Sequence, residues 1–351
     1  MLADLAKREG RSVVAFDLFG DLDLRRSASH VVKRDGLASL VDAAVAAAPG
    51  EVVYGASFEN HPALVARLAE RHLLLGNPPS TLRAVRDPAQ LGAALSGLPY
   101  PRTTVTAPSS GRWLRKSLRG GGGIQVRAWR GGALPAGTYL QEHIDGVACS
   151  AAAVGDGKDA VVLGLTEQLV GQRAFGVRGH RWCGNLVPPR MPSGALLAQA
   201  RATCSRLAAA FALRGLFGVD FIWDGERAWT VEVNPRPTAS LEAIEAASGV
   251  DVFDAHLRGC AGELPRIGAP RPGAAGKAVL FATEDVVVGD SMGWPERGVR
   301  DVPHPGERIA AGRPICTVVA TATTPGEALA SLEADAARLR TEVRVEVAAR
   351  G

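Results

Sequence analysis

Apolar runs and amphipathic stretches alternate regularly at the start of the chain. The apolar run 11–19, "RSVVAFDLF", predicts a buried parallel strand, and the alanine-rich stretch 36–49 has the spacing of a helix. A second strand–helix–strand set follows, at 51–56, 61–72 and 73–76. Because strands that alternate with helices form βαβ units, residues 1–90 are predicted to be a small doubly wound α/β domain.

The pattern changes to α+β in the middle of the chain. Strands flank a glycine loop in 112–129, several strands fill 138–165, and 195–213 predicts an amphipathic helix. A hairpin is predicted over 215–237, with its turn at Asp224-Gly225. The remaining divisions are a mixed region at 91–267, a glycine- and proline-rich linker at 268–276, and a β-rich unit with a final helix at 277–351.

Composition and charge narrow the class of protein. The chain has 351 residues, 46% of them hydrophobic, and a net charge of +4, which predicts a globular protein of two or three domains. Three tyrosines and scattered arginines do not form the basic, aromatic surface of a nucleic-acid binder. Five dispersed cysteines without a CxxC pair argue against a disulfide scaffold or a zinc site. With no signal sequence or membrane span in view, we expect a cytoplasmic protein.

Oxygen-bearing side chains gather at the end of the hairpin, in "GVDFI" and "VEVNPRPTAS". Alternation along the strand puts Glu232 and Asn234 on one face, about 7 Å apart. A hairpin loop of odd length, such as Gly225–Arg227, places Asp220 opposite Glu232 on that face, whereas a loop of even length would put it on the other face; we expect the odd loop. Two carboxylates and an amide oxygen are suitable ligands for Mg²⁺. The alternative is a polar strand end in contact with solvent, which would show the same sequence pattern.

The glycine run in "KSLRGGGG" is the second candidate site. Gly120, Gly121, Gly122 and Gly123 let backbone N–H groups approach an anion closely, and Lys116 precedes them as a compact positive charge. Only five of the 40 basic residues are lysine, so a lysine at this position is informative. A flexible hairpin tip or linker is the alternative interpretation.

Two further segments carry weaker signals. The strand "YLQEHIDG" at 139–146 could join two lobes and present its backbone to an adenine edge, or it could be an ordinary strand and turn. The glycine- and arginine-rich stretch 171–189 is either a surface loop or a surface that faces an acidic substrate. For the second case the candidate substrate residues are Arg173, Arg178, His180 and Arg181.

The order of these motifs resembles that of the ATP-grasp superfamily. The resemblance covers about residues 1–265 and depends on the combination of "KSLRGGGG", "QEHIDG", "GVDFI" and "EVNPRP". It implies a two-lobed ATP-grasp fold over 91–267, with a lid lobe at about 103–142. Phrases such as "LGLTEQLVG" are similar to the predicted ATP-dependent carboligases, some of which accompany methanofuran and tetrahydromethanopterin biosynthesis.

The resemblance also implies a reaction and a set of residue roles. A carboxylate would attack the γ-phosphate of Mg-ATP to form an acylphosphate, which an amine or another nucleophile would displace. Asp220, Glu232 and Asn234 would hold Mg²⁺ or Mn²⁺, and Arg236 and Lys116 would be catalytic. The residues implied to bind ATP are Lys116, Gly120, Gly121, Gly122, Gly123, Gln141, Glu142, His143 and Ile144.

The chain departs from the superfamily pattern at three positions. Only Arg83 or Arg86 is available where a first phosphate-binding lysine is usual, and no acidic ribose ligand follows the strand at 139–146, which the resemblance makes the hinge strand between the lobes. Ser240 stands where biotin-dependent carboxylases have a glutamate, with Glu242 nearby. The expected partners are a small anionic carboxylate and an amine or another nucleophile, and neither nucleic acid nor a membrane is expected. The sequence is compatible with a homo-oligomer. An ATP-dependent phosphoryl transferase and a non-catalytic nucleotide-binding module are the alternative functions.

Overall fold

The computed structural model describes residues 1–268 and 271–345. The helices of this part are α1 (Leu2–Arg8), α2 (Leu22–Ser27), α3 (Leu37–Ala46), α4 (Pro62–Arg71), α5 (Pro79–Val85), α6 (Pro88–Ala94), α7 (Gly194–Phe211), α8 (Leu241–Ser248), α9 (Val252–Ala261) and α10 (Pro325–Thr341). Its strands are β1 (Val14–Asp17), β2 (His30–Lys33), β3 (Glu51–Val52), β4 (Leu73–Leu74), β5 (Thr103–Thr104), β6 (Trp113–Ser117), β7 (Arg127–Ala128), β8 (Thr138–Glu142), β9 (Val147–Asp156), β10 (Ala160–Val170), β11 (Trp182–Val187), β12 (Arg214–Trp223), β13 (Ala228–Asn234), β14 (Ala274–Phe281), β15 (Val286–Val288), β16 (Arg308–Ile309), β17 (Pro314–Ala322) and β18 (Val343–Val345).

The N-terminal part contains two parallel strand pairs, β1 with β2 and β3 with β4. Helices α3 and α4 pack together through a small apolar cluster that includes Val41 and Leu68. The strand predicted at 11–19 is parallel, as expected, but the prediction that it is buried is wrong, since Val14 is 51% exposed. Its partner β2, "HVVK", has exposed polar ends and lacks the long apolar run by which a strand is recognised.

A seven-stranded antiparallel sheet forms the centre of the molecule, in the order β13-β12-β9-β10-β11-β14-β17. One face packs against α7 through alternate residues such as Ala151, Phe217 and Val219. At one end of the other face, Val154 and Leu216 pack against α8 and α9. Alternation of side chains therefore directs the intervening residues of β9 and β12, Asp220 among them, to the face of α8 and α9.

A separate four-stranded sheet, in the order β5-β8-β6-β7, lies beside the central one. Strands β6 and β7 form a hairpin whose connection contains the four glycines. Strand β8 leads directly into β9 of the central sheet, so one continuous segment joins the two sheets.

The C-terminal residues extend the central sheet. Strand β14 pairs with β11, and β17 pairs with β14. A three-stranded sheet, β16-β15-β18, and helix α10 enclose an apolar cluster against these strands. The boundary predicted at residue 277 thus lies within β14. In residues 1–268 and 271–345, none of the helices combines the length and apolar character needed to cross a membrane.

Candidate functional site

The hairpin of β12 and β13 brings the two predicted carboxylates together. Asp220 lies directly opposite Glu232, as predicted, and both side chains therefore share a face of the sheet. The predicted odd-length loop is wrong: Trp223 pairs with Ala228, which leaves a four-residue loop. The strand register shifts between Asp220 and Phe221, and this β-bulge compensates for the even loop.

The polar face continues from Asp220 into neighbouring strands. Gln168 of β10 donates a hydrogen bond to Asp220 Oδ1 over 2.9 Å, and Asn234 Nδ2 donates to Asp220 Oδ2 over 3.3 Å. Burial and the nearby charge of Glu232 raise the pKa of Asp220 well above its ordinary value. Gln168 was not among the predicted site residues, because a single glutamine in an apolar strand gives no local signal.

The two facing carboxylates and the Asn234 amide are chemically suited to a divalent cation. A cation would relieve the repulsion and the burial penalty that raise the pKa of Asp220. In the described part of the chain, no group of three or more His, Cys, Asp or Glu residues has a metal-binding arrangement. A cation here would therefore bind to two carboxylates, with an amide oxygen and non-protein ligands completing its coordination. When a cation binds, its bonds to these side chains would replace hydrogen bonds and ion pairs that the side chains make in the structure.

Lys116 is partly buried beside this face. Its Nζ donates to Gln141 Oε1 over 3.0 Å and to the carbonyl oxygen of Val231 over 3.1 Å. Burial lowers the pKa of Lys116, and the charges of Glu232 and Asp220 partly oppose that effect. The lysine predicted to bind phosphate thus sits between the hinge strand and the strand that carries Glu232.

Arg86, at the end of α5, contacts both the hairpin and the glycine loop. Its Nη1 lies 2.5 Å from Glu232 Oε1, and its Nη2 donates to the carbonyl oxygen of Gly120 over 2.7 Å. Arg83 is exposed to solvent. Of the two arginines available in place of the usual first lysine, Arg86 is therefore the one that reaches the site.

The glycine loop is docked on the start of β11 and on the residues just before it. Trp182 N–H donates to the carbonyl oxygen of Gly122 over 3.0 Å, and a Cβ on Gly123 would come within 1.8 Å of the carbonyl oxygen of His180. Within the described residues, the N–H groups of 121–123 donate no hydrogen bond. Three free amides in a row could bind an anion, whereas the N–H of Gly120, also predicted to bind phosphate, donates to the carbonyl oxygen of Ser117 over 3.3 Å.

The hinge residues have different environments. Gln141 is buried, and Glu142 forms an ion pair with Arg102. The backbone N–H groups of Glu142 and His143 already donate to the carbonyl oxygens of Arg102 and Arg112. Of the predicted hinge amides, the N–H of Ile144 is left without a hydrogen-bond acceptor in the described part of the chain.

Arg236 has a partner that the sequence did not suggest. Its Nη2 lies 2.7 Å from Oε1 of Glu59, which is 2% exposed, and it also donates to Asn234 Oδ1 over 3.2 Å. Glu59 is 177 residues away, in a turn after β3. The sequence "SFENHP" is typical of a polar turn, so nothing in it assigns its glutamate to the site without knowledge of the fold.

Three of the four predicted substrate residues lie at a cavity of about 590 Å³ next to the glycine loop. Arg178, His180 and Arg181 line it together with Arg127, whereas Arg173 is exposed in a short turn and is not part of the lining. Arg181 packs over the Phe281 ring and donates to the carbonyl oxygen of Gly312. No acidic residue lines this cavity in the described structure, so it favours an anion.

Comparison with known proteins identifies the class. Residues 89–240 match the family model of the ATP-grasp domain, so this chain contains an ATP-grasp domain and the predicted superfamily is confirmed. The carbamoyl phosphate synthase large chain of Rubrobacter xylanophilus is 25% identical over 270 residues, which cover 67% of this chain and 25% of that protein. The formate-dependent phosphoribosylglycinamide formyltransferase of Rhodococcus jostii is 26% identical over 258 residues, covering 67% and 60%. The chain thus spans a quarter and three-fifths of these relatives.

Solved structures share the fold over nearly the whole chain. N5-carboxyaminoimidazole ribonucleotide synthetase from Thermus thermophilus superposes with a TM-score of 0.70 at 21% identity, covering 100% of this chain and 97% of that one. The biotin carboxylase domain of the Hydrogenobacter thermophilus 2-oxoglutarate carboxylase, solved with MgADP and bicarbonate, gives 0.71 at 15% identity, covering 98% and 87%. These similarities confirm the predicted mixed α/β fold with its two-lobed clamp.

Proposed function

We propose that this protein is an ATP-dependent ligase that activates a small carboxylic acid as an acylphosphate and transfers the acyl group to an amine or another nucleophile. One observation carries the proposal: Asp220 faces Glu232 across the hairpin, with Asn234 on the same strand. Lys116 and Arg236 contact the same strand, and the glycine loop is linked to Glu232 through Arg86. The named enzymes among the relatives make this chemistry the natural first hypothesis.

In this proposal the first step is phosphoryl transfer. A carboxylate oxygen attacks the γ-phosphorus, the bond between that phosphorus and the bridging oxygen breaks, and ADP leaves. Asp220, Glu232 and Asn234 would hold Mg²⁺, which supplies positive charge to the phosphate oxygens. Lys116 and the free amides of 121–123 would orient the triphosphate, because fixed donors stabilise developing charge without reorganising.

The second step is acyl transfer. The nucleophile attacks the acyl carbon, the bond to the phosphate oxygen breaks, inorganic phosphate leaves and the attacking amine loses one proton. Arg236 would stabilise the negative charge of the acylphosphate and of the departing phosphate. Arg178 and Arg181, in the cavity beside the glycine loop, would bind an anionic part of the acid, with His180 as a neighbour.

Calorimetry of ATP binding with and without Mg²⁺ tests the site. The wild-type protein should bind ATP more tightly with Mg²⁺, and Glu232→Ala should lose that gain because the cation loses a ligand. Glu226→Ala, which removes an exposed carboxylate from the same hairpin, is the matched control. Without Mg²⁺, Glu232→Ala should bind ATP no worse than wild type, since it frees Arg86. The proposal is contradicted if the wild-type protein does not bind ATP, or if the affinity for ATP is the same with and without Mg²⁺ in the wild type and in Glu232→Ala.

Trapping then separates the ligase from a phosphoryl transferase. With ATP and Mg²⁺, we would screen glutamyl and phosphorylated acids, including acids of one-carbon carrier biosynthesis, in the presence of hydroxylamine. An acylphosphate yields a hydroxamate, whereas a phosphoryl transferase releases ADP without one. ADP release with a stable phosphorylated product would favour the transferase.

A further inference from the structure

A second polar site lies where the N-terminal part meets Arg236. Glu59 belongs to a turn over Phe58–Asn60 that follows Ser57, which adopts a left-handed conformation with φ of 78°. One carboxylate oxygen of Glu59 accepts the hydrogen bond from Arg236. Its other oxygen is buried and has no hydrogen-bond partner.

The neighbouring residue repeats this feature. Asn60 Oδ1 is also buried without a partner. The amide orientation is supported by Nδ2, which lies 3.5 Å from the carbonyl oxygen of Gly120 in the glycine loop. Two consecutive residues thus each present an unsatisfied acceptor, and one of them also contacts the loop that would cover a triphosphate.

Buried acceptors of this kind are costly unless a donor satisfies them. Burial would raise the pKa of Glu59, but the Arg236 guanidinium outweighs it and the pKa lies below its ordinary value. Glu59 is therefore ionised at neutral pH. The carboxylate and amide oxygens of this turn favour a ligand rich in N–H groups. Arg236 Nε, which is buried and also unpartnered, is a donor and favours a neighbouring anion.

We propose that Glu59 and Asn60 form the subsite for the amine that receives the acyl group. The inference rests on the proposed ligase function: an ammonium group would donate to the free oxygens of Glu59 and Asn60, and Arg236 would bind the adjoining anion. Arg236 then links the two partners of the reaction, because the same guanidinium contacts Glu59 and Asn234. Glu59 and Asn60 bind and orient the amine, and no bond to either residue is formed.

Binding of methylammonium chloride to the full chain, loaded with Mg²⁺ and a non-hydrolysable ATP analogue, tests this assignment. Saturation-transfer NMR should give a Kd of about 10 mM for the wild-type protein. Tetramethylammonium has the charge but no N–H groups and should not bind. Glu59→Gln, which keeps an acceptor for Arg236, should weaken methylammonium binding by about tenfold or more.

Two variants keep the result interpretable. Glu70→Gln removes an exposed carboxylate from α4 and should bind like the wild type. Asn60→Leu removes the second acceptor while keeping the number and branching of the side-chain heavy atoms, and should also weaken binding. Equal binding of methylammonium by wild type and Glu59→Gln, or none to the wild type at about 100 mM, overturns the proposal. Calorimetry of MgATP on the same variants, prepared without the analogue, reports separately on the proposed ligase site.

Discussion

Gly123 is the residue at which the glycine loop meets the rest of the molecule. Its φ of 71° lies in the region that side chains disfavour, and its Cα faces the backbone of His180. Gly121, two residues earlier, has no atom near the position that a Cβ would take. Two glycines of one run therefore have different roles, since Gly123 permits a close approach of two backbone segments and Gly121 faces open space.

We expect Gly123→Ala to undock the loop, because an added Cβ would lie 1.8 Å from the carbonyl oxygen of His180. Hydrogen exchange of the loop amides, followed by mass spectrometry, should become faster by about tenfold or more. Gly121→Ala is the control and should exchange like the wild type. If both variants behave alike, steric contact at Gly123 does not hold the loop.

Helix α8 is tied to strand β14 by a buried ion pair. Lys277 Nζ contacts Glu242, and both side chains are almost completely enclosed. Burial lowers the pKa of Lys277, but Glu242 and Asp301 outweigh it and the pKa is raised above its ordinary value. A buried pair of this kind is expensive to break, since the remaining partner is left as an uncompensated charge.

Lys277→Met should therefore lower the free energy of unfolding by about 3 kcal/mol. Adding Glu242→Leu should recover more than half of this loss, because the second change removes the unpaired carboxylate. Chemical denaturation measures all three proteins, with Lys158→Met as an exposed control. A double variant as unstable as the single one would mean that packing, and not charge, holds this contact.

Helix α9 carries a buried histidine that couples two parts of the molecule. His256 Nδ1 accepts from the N–H of Leu216, and Nε2 lies 3.2 Å from the carbonyl oxygen of Leu75. Burial lowers the pKa of His256 to about 4 from 6.5. Protonation would remove the acceptor at Nδ1, so the folded state binds this proton less readily than the unfolded state.

The sign of the pH effect follows from this difference. Stability contributed by neutral His256 is complete above the unfolded pKa and declines as the pH falls from 6.5 towards 4. Between pH 7 and pH 5 the wild type should lose about 2 kcal/mol more than His256→Gln. Urea denaturation at the two pH values measures the difference. Parallel losses in both proteins would mean that His256 does not titrate in this range.

At the scale of the molecule, local pattern and long-range contact differ in how far the sequence reveals them. The hairpin, the glycine loop and α7 were predictable because each depends on neighbouring residues. The facing of Asp220 and Glu232 was also predictable, although a bulge and not the loop length produces it. The pairing of Arg236 with Glu59 was not, because it depends on how the N-terminal part packs against the central sheet.

The C-terminal strands are a second case in which long-range packing is not visible in the sequence, because the sequence predicts them to be a separate unit. In the structure β14 and β17 complete the central sheet, and β14 shares its hydrogen-bond ladder with β11. Cys183 and Leu186 of β11 belong to the apolar cluster that α10 and the C-terminal strands enclose. Removing these strands would leave β11 as an open edge with apolar side chains in water, a known cause of aggregation.

A chain ended after Gly268 should therefore fail to form a stable monomer, even though it keeps Asp220, Glu232 and the glycine loop. Size-exclusion chromatography should find aggregated material, and near-UV circular dichroism should lack the sharp thermal transition of the full chain. The full chain under the same conditions is the control. A monodisperse fragment with a cooperative transition would support the division into units that the sequence predicts, with the C-terminal unit folding independently. Aggregation would mean that the clamp and the C-terminal strands fold as one, because the sheet that carries the site needs β14 and β17 to close its edge.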